Sequence, residues 1–453
     1  MQHAQELVEE RYQFKSPLKN KILILSGVGL ILLIIGIFLA QTGNSHVVEG
    51  HSNLNIHSSL VASNASTATT SEGHVTSHDG MATWLKRLIT SLWMNNVFFA
   101  GLGLIGLLFI AIQYAAQAGW SAGINRIPLA MGHWIPIAGV LMLVFWFLGH
   151  HQLFHWTHSG LYDKTSAEYD KIIDDKSVYF FWPLKGGSVP VFFLARMVLF
   201  FGLWYMFFKY IKREMLAEDL DKNLSHWHTI RKLSAIFIVV FGYSSSIAAW
   251  DWVMSIDTHW YSTMMGWYVF ASWWVTGLSV ITLIVIYLKE EGYLGIVNEN
   301  HLHDLGKFIF AFSIFWTYLW FSQFMLIHYA NIPEETVYFL QRKQMAPYNW
   351  IFYAILILNF FLPLLLFMTR DAKRKMAMLK LVCPIIIVGH WLDYFNLITP
   401  GVMKWQGGLG LLEIGVTMIF LAVFLWVTLS SLSKFPLFAK NNPMLQESLE
   451  HNI

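Results

Sequence analysis

Ten stretches of about 20 mostly apolar residues recur along this 453-residue sequence, and they constrain its fold more than any other feature. At a rise of 1.5 Å per residue, each stretch forms a helix long enough to cross about 30 Å of hydrocarbon. A transmembrane barrel would alternate polar and apolar residues instead. Charged residues make up only 13% of the chain. We therefore predict an all-α polytopic membrane protein with ten transmembrane helices, at 22–41, 93–116, 127–149, 189–211, 233–252, 264–288, 308–329, 350–369, 376–398 and 410–432.

Basic residues set the predicted orientation, because Lys and Arg in short loops prefer the cytoplasmic side. Most of the 30 Lys and Arg fall on one side if the N-terminus is cytoplasmic. The first span follows three lysines but lacks a clean cleavage site, so we expect it to be retained rather than removed as a signal peptide. The segments 1–21 and 433–453 are then cytoplasmic. The outer face carries the loops 42–92, 150–188, 253–263, 330–349 and 399–409.

The cysteine and histidine content limits the redox centres that the chain can hold. Cys383 is the single cysteine, so neither a CxxCH haem attachment nor a cysteine-ligated cluster can form. The outer loop between the first two spans is rich in Ser, Thr, Asn and His, a composition typical of a solvated linker. Its histidines have irregular spacing, which favours a linker over a metal site; they are His46, His51, His57, His74 and His78.

Ionisable residues inside or beside the spans are the candidate functional groups, because a charge at membrane depth persists only with a partner, water or a role. Most of them fall toward the predicted outer face. An inner-half histidine, His133, is a candidate entrance of a proton path, although a bond to a backbone carbonyl is the commoner role. The outer candidates are Arg196, Asp251, Asp257, His259, Gln323, His328, Glu334, Glu335, His390, Asp393 and Glu413.

The spacing of His390 and Asp393 predicts a proton-exchanging group. Residues three apart project from one side of a helix, and a histidine beside a carboxylate suits proton transfer near neutral pH. Glu413 lies at a matching depth on the next span, so we expect it to join them. The alternative is that each group is a satisfied packing residue or a helix cap. A b-type haem between His328 and His390 is a third interpretation, although no pairs of histidines occur at two depths.

Two motifs carry a resemblance to a known family. "WDWVMSIDTHWYST" at 250–263, followed by "GWYVFASWW", is the first, and "FWTYLWFSQFMLIHYANIPEET" at 315–336 is the second. They resemble the second large NrfD-type (polysulfide-reductase-like) membrane subunit of bacterial alternative complex III, a quinol:cytochrome c oxidoreductase. The resemblance covers essentially the whole chain. His328 stands where that subunit usually has Trp.

The resemblance implies an architecture of two four-helix bundles, 93–252 and 264–398, with one flanking helix at 22–41 and another after the outer loop within 399–432. It implies a bacterial inner-membrane location and a scaffold role with quinone-binding or proton-conducting capacity. The chain itself would hold no cofactor and contact no nucleic acid. Its partners would be membrane lipid, pentahaem and monohaem cytochrome c subunits, an iron-sulfur protein, the other NrfD-type subunit, small membrane-anchored subunits and a terminal oxidase.

The resemblance also gives the first motif a place, at the outer rim of the first bundle. Asp251, Asp257 and His259 would there line a polar exit or a subunit contact. A plainer alternative is that Asp257 caps the sixth span and Asp251 bonds to backbone. Two other functions fit ten spans: a proton-coupled transporter, which would show matched helix interruptions, and a b-haem-binding membrane anchor.

Overall fold

A computed structural model describes residues 10–47, 82–221 and 223–452. Within these residues ten helices are long and apolar enough to cross a membrane, and no strand occurs. The predicted all-α polytopic fold is confirmed. The spans, numbered 1 to 10 below, are Ser16–Thr42, Thr83–Ala116, Arg126–Leu153, Val191–Ala217, Leu224–Ile256, Met265–Glu290, Glu299–Ala330, Asn349–Leu366, Met376–Gln406 and Leu411–Leu432.

Several spans are longer than their hydropathy predicts. Span 2 begins ten residues before the expected 93, and spans 5 and 7 each begin nine residues early. The added turns carry charged and polar residues among apolar ones, so a hydropathy window omits them although their backbone hydrogen bonds continue the helix. The 42–92 loop is therefore shorter than expected. Most of its histidines lie outside the described residues.

The spans pack as two four-helix groups. Spans 2, 3, 4 and 5 contact one another, as do spans 6, 7, 8 and 9. Spans 2 and 6 join the two groups, and 94% and 89% of their apolar windows are buried. Span 1 packs mainly on span 10, which in turn contacts spans 2 and 3. This is the arrangement of two bundles and two flanking helices that we expected.

Small residues allow spans 1 and 10 to lie close together. A Cβ added to Gly29 would come within 2.9 Å of the Gly415 carbonyl oxygen. A Cβ on Gly36 would clash with the backbone of Leu412. Because helix contacts in lipid depend on close van der Waals packing, these glycines hold span 1 against the rest of the protein.

Two spans are irregular. Span 3 consists of Arg126–Met131, a 3-10 turn at Gly132–Trp134 and Ile135–Leu153. Span 8 contains a π-helical turn at Ile357–Phe361, with Pro363 immediately beyond it. A proline lacks the amide hydrogen that an α-helix needs, and π turns occur often at functional sites.

The even number of spans puts both chain ends on one side, here called the terminal face; the opposite side is the loop face. Short helices cover the loop face: Lys171–Asp175, Ser177–Phe181 and Pro333–Gln344. The segment 433–452 folds under the terminal face, where the Ser448 hydroxyl donates to the Trp120 carbonyl and His451 bonds to Asp304. The last residues described thus connect both bundles.

Candidate functional site

Three arginine–carboxylate pairs account for most of the polarity near the loop face. In the first bundle, Arg196 of span 4 binds Asp251 of span 5 through Nε and Nη2, at 2.7 and 2.8 Å. Both side chains are buried, and Nη1 donates to the Tyr179 carbonyl at 2.8 Å. This arrangement satisfies both charges inside the protein. Asp251 therefore joins spans 4 and 5 through an ion pair. Its carboxylate neither bonds to a neighbouring backbone nor lines an open polar exit.

Asp257 belongs to a second pair, in the loop after span 5. Its Oδ2 accepts from Nη2 of Arg342 at 2.7 Å, and Arg342 also donates to the carbonyls of Asn396 and Leu397 at the end of span 9. The Tyr338 ring lies 3.4 Å from the guanidinium. Arg342 thus ties the helix Pro333–Gln344 to both bundles. The proposed cap on span 6 is not formed by Asp257.

Glu413 forms the third pair, which corrects its predicted place beside His390 and Asp393. Its two carboxylate oxygens accept from Nε and Nη2 of Arg87, in span 2, at 3.0 and 2.9 Å. Oε2 also accepts from the Gly410 amide at 2.9 Å, which caps span 10. The group holds the first bundle to the tenth span.

Four other candidates lie on the surface of the loop face. His259 bonds to Asp170 at 2.6 Å, and half of its side chain is exposed. His328 is exposed and stacks on Phe324. Glu334 and Glu335 occupy the first turn of the helix Pro333–Gln344, where the helix dipole favours acidic side chains. The structure does not place any of these with His390 and Asp393.

His390 and Asp393 do share one side of span 9, as their spacing predicts, and both face span 6. His390 Nδ1 bonds to the Ser272 hydroxyl at 3.0 Å, and the Tyr268 hydroxyl donates to Asp393 Oδ1 at 2.5 Å. The Trp316 ring of span 7 meets His390 edge-on at 5.1 Å. Both candidates are completely buried. They do not bond to each other, because each has its own partner one turn apart on span 6.

Several polar atoms around these residues have no hydrogen-bond partner within the described part of the chain, an arrangement that is costly in a buried setting unless water or a ligand completes it. Neither His390 Nε2 nor Asp393 Oδ2 has one. Both amide atoms of Asn359, in the π turn of span 8, lack one too. Asn359 packs directly on Gly389, the neighbour of His390, where any side chain would collide with it.

A cleft runs from Asp393 toward the loop face. It holds about 350 Å³ of space, counting its mouth, and its wall is formed by spans 6, 7, 8 and 9 with the helix Pro333–Gln344. Gln323, a predicted site residue, lines it, and its Nε2 has no partner. The polar residues of the wall are Tyr268, Gln323, Tyr338, Arg342, Asp393 and Asn396. The cavity itself has a volume of about 20 Å³, which is room for a water molecule but not for a ligand.

A second polar group lies at the terminal face of the first bundle. Glu218, just after span 4, is 2% exposed, and the Tyr114 hydroxyl donates to its Oε2 at 3.4 Å. Burial raises the pKa of the Glu218 carboxyl to about 7, although Arg126 opposes the shift. Asn442 donates to the Tyr114 hydroxyl at 3.1 Å. Sequence reasoning missed Glu218 because it lies in a charged run that reads as a solvated loop.

His133, the predicted inner-half candidate, is not part of that group. Its Nδ1 bonds to the Ala130 carbonyl at 3.2 Å, as the commoner alternative predicts, and its Nε2 bonds to Lys212 Nζ at 2.8 Å.

The geometry provides no ready metal or haem site in the described residues. No group of three or more His, Cys, Asp or Glu side chains is arranged to hold a metal ion there. The proposed haem pair consists of one exposed imidazole, His328, and one buried imidazole, His390, which is already bonded to Ser272. The structure does not bring the two together.

Tyr268, Ser272, Trp316 and Gln323 all fall inside the two sequence motifs described above, so the motifs supply most of the wall around His390 and Asp393. Sequence reasoning also missed Asn359, a lone amide within the apolar run "ILILNFFLP". Comparison with known proteins adds no identification, since the sequence matches no protein-family model and no curated protein.

Proposed function

We propose that the chain is a membrane subunit of a quinol:acceptor oxidoreductase of the alternative complex III type, and that its second bundle handles protons. In this proposal it sits in a bacterial inner membrane with both termini cytoplasmic, and cytochrome c and iron-sulfur subunits carry the haem and clusters. The two sequence motifs support the family. The proton role rests on one observation: the buried carboxyl of Asp393 lines a cleft, and one of its oxygens has no hydrogen-bond partner among the described residues.

The chemistry of this group suits proton exchange better than a purely structural role. The three arginine pairs nearby show how this protein neutralises a structural carboxylate, namely with a guanidinium. Asp393 has no such partner. The Tyr268 hydroxyl donates to its Oδ1 and the Trp316 indole lies near the carboxyl, while Oδ2 has no hydrogen-bond partner among the described residues and can take up a proton or a water molecule. The proton affinity of a carboxyl without a countercharge in a low-dielectric interior responds to changes in nearby charge. Such a carboxyl can therefore take up and release a proton as its surroundings change.

Quinol oxidation releases protons, so a carboxyl at the inner end of a cleft is suited to receive them and pass them on. The cleft leads from Asp393 past Gln323 and Asn396 toward the loop face. Waters bound to the free atoms of Asn359 and His390 would extend the chain of hydrogen bonds.

The decisive experiment replaces Asp393 by Asn in the assembled complex. The change keeps the shape and the bond from Tyr268 but removes the exchangeable proton. We expect quinol-dependent turnover to fall about 100-fold, the lower end of what positioned proton transfer contributes, and its pH dependence to change. Glu413→Gln is the matched control, because Glu413 is equally buried but paired with Arg87.

Glu413→Gln should lower the stability of the protein more than it changes the pH dependence of quinol-dependent turnover. Full turnover with an unchanged pH profile in Asp393→Asn would refute the proton role. Co-purification of the chain with c-type cytochromes tests the family assignment separately, and a transporter would purify without them.

A further inference from the structure

A group of basic side chains without a carboxylate partner lies where spans 3, 4 and 10 meet at the terminal face. Lys212 Nζ donates to His133 Nε2 at 2.8 Å, and Lys434, just after span 10, is close enough to interact electrostatically with both. Among the described residues neither lysine pairs with a carboxylate. Two positive charges are thus held beside an imidazole that adds no negative charge.

Several other basic residues of this face, unlike these two lysines, have carboxylate partners. Lys15 pairs with Glu291, Lys380 with Glu290 and Arg126 with Asp219. Repulsion between Lys212 and Lys434 works against their present positions unless an anion offsets it. The hydrogen-bonding pattern points the same way, since Lys212 uses one ammonium hydrogen on His133 and keeps others for an acceptor.

The packing beneath this group is fixed rather than loose. His133 lies edge-on to Phe208 at 5.0 Å and stacks on Phe435 at 6.3 Å. Gly132 makes the approach of Phe208 feasible, because an added Cβ would be 2.5 Å from that ring. The imidazole therefore holds Lys212 at one position instead of leaving it to sample the solvent.

An exposed apolar strip leads from these charges into the depth of the membrane. On span 3, Val140 and Val144 follow His133 by two and three turns on the same helix face and are 63% and 44% exposed. On span 4, Tyr205 and Val198 precede Lys212 by two and four turns and are 42% and 55% exposed. Basic groups at the interface above such a strip match a lipid's anionic headgroup and its acyl chains.

We propose that His133, Lys212 and Lys434 form a binding site for the phosphate headgroup of an anionic phospholipid in the leaflet at the terminal face. The phosphodiester accepts from both ammonium groups, and the acyl chains lie along the strip on spans 3 and 4. A zwitterionic lipid binds less well, because its own amine is repelled by the lysines. The site is independent of the proton role proposed for the second bundle.

The test compares lipid retention by two double variants of the full chain, in nanodiscs of phosphatidylcholine with or without phosphatidylglycerol. Lys212→Gln with Lys434→Gln removes the site. Lys232→Gln with Lys440→Gln removes the same charge from exposed positions of the same face. Native mass spectrometry after extraction counts the bound lipid.

We expect phosphatidylglycerol retention to fall about 30-fold in the site variant, at roughly fivefold per lysine, and less than about twofold in the control. Equal losses in both variants, or equal retention of phosphatidylcholine by the unaltered chain, would overturn the proposal. So would displacement by inorganic phosphate, which would indicate a free-anion site. If the double variant folds poorly, Lys434→Gln alone provides the test, because Lys434 is exposed. It should lower phosphatidylglycerol retention about fivefold.

Discussion

The buried pair of Arg196 and Asp251 provides the sharpest test of how this protein uses charge in its interior. Asp251→Asn keeps the size of the side chain and one acceptor but removes the negative charge. Arg196 then retains its bond to the Tyr179 carbonyl and its contact with the Tyr179 ring, at 2.8 and 4.2 Å, without a counterion. Arg196 is only 7% exposed, so water cannot replace the carboxylate. We expect a loss of about 3–5 kcal/mol in the free energy of unfolding.

Replacing both partners separates the ion pair from the cost of leaving one charge alone. Arg196→Met with Asp251→Leu removes both charges and fills most of the volume, so most of the lost stability should return. The exposed pair Lys380 and Glu290 is the control, with 48% and 47% of the two side chains accessible. Glu290→Gln should cost less than about 1 kcal/mol.

The assay is equilibrium unfolding in mixed micelles as the fraction of sodium dodecyl sulfate rises, followed by tryptophan fluorescence. The chain has 21 Trp, several of them buried near span 5. A loss of unfolding free energy in Asp251→Asn no larger than that in Glu290→Gln would show that the buried charge pair does not stabilise the protein. The same conclusion follows if the double variant is as unstable as Asp251→Asn, because the lost stability would then come from altered packing and not from an unpaired charge.

Two further variants test other parts of the structure. The raised pKa of Glu218, about 7, means that the folded protein keeps a proton that the unfolded chain loses near its ordinary pKa; stability should therefore fall as pH rises toward 7 and then level off. Glu218→Gln should remove that fall, and unfolding temperatures measured between acidic and mildly alkaline pH would show whether it does. Gly36→Leu should separate span 1 from span 10, because a side chain there collides with the backbone of Leu412; faster proteolysis of the N-terminal helix than in Gly27→Leu, which faces open space, is the expected result.

Hydropathy alone was enough to predict the ten spans, because lipid imposes length and apolarity on each helix separately. It could not predict the polar helix ends, nor the partners of Asp251, Asp257 and Glu413. Those partners are arginines far away in sequence, and two of them, Arg87 and Arg342, lie in segments that read as loops. The depth of each residue in the membrane could be inferred from the sequence, but the side of the helix that faces each neighbouring span could not. That is why Glu413 was grouped with His390 and Asp393, although it faces span 2.

The direction of each helix face also limited the prediction for His390 and Asp393 in the second bundle. The three-residue spacing of His390 and Asp393 predicts a shared helix face, which the structure confirms. Which helix that face meets depends on how the spans pack within the second bundle. Asn359 escaped notice because a single amide in an apolar run carries no pattern, and the π turn that positions it is a tertiary effect.

The contact of the first span with the tenth sets an order of events during synthesis. Span 1 leaves the ribosome well before its main partner, span 10, is made. Translation of the roughly 370 residues between them takes about 20–75 s at 5–20 residues per second. During that interval span 1 stands in the bilayer with its glycine face against lipid or another protein. The cell must therefore protect this helix from mispairing until span 10 is made, and span 1 takes its final place only after the spans between them have been inserted.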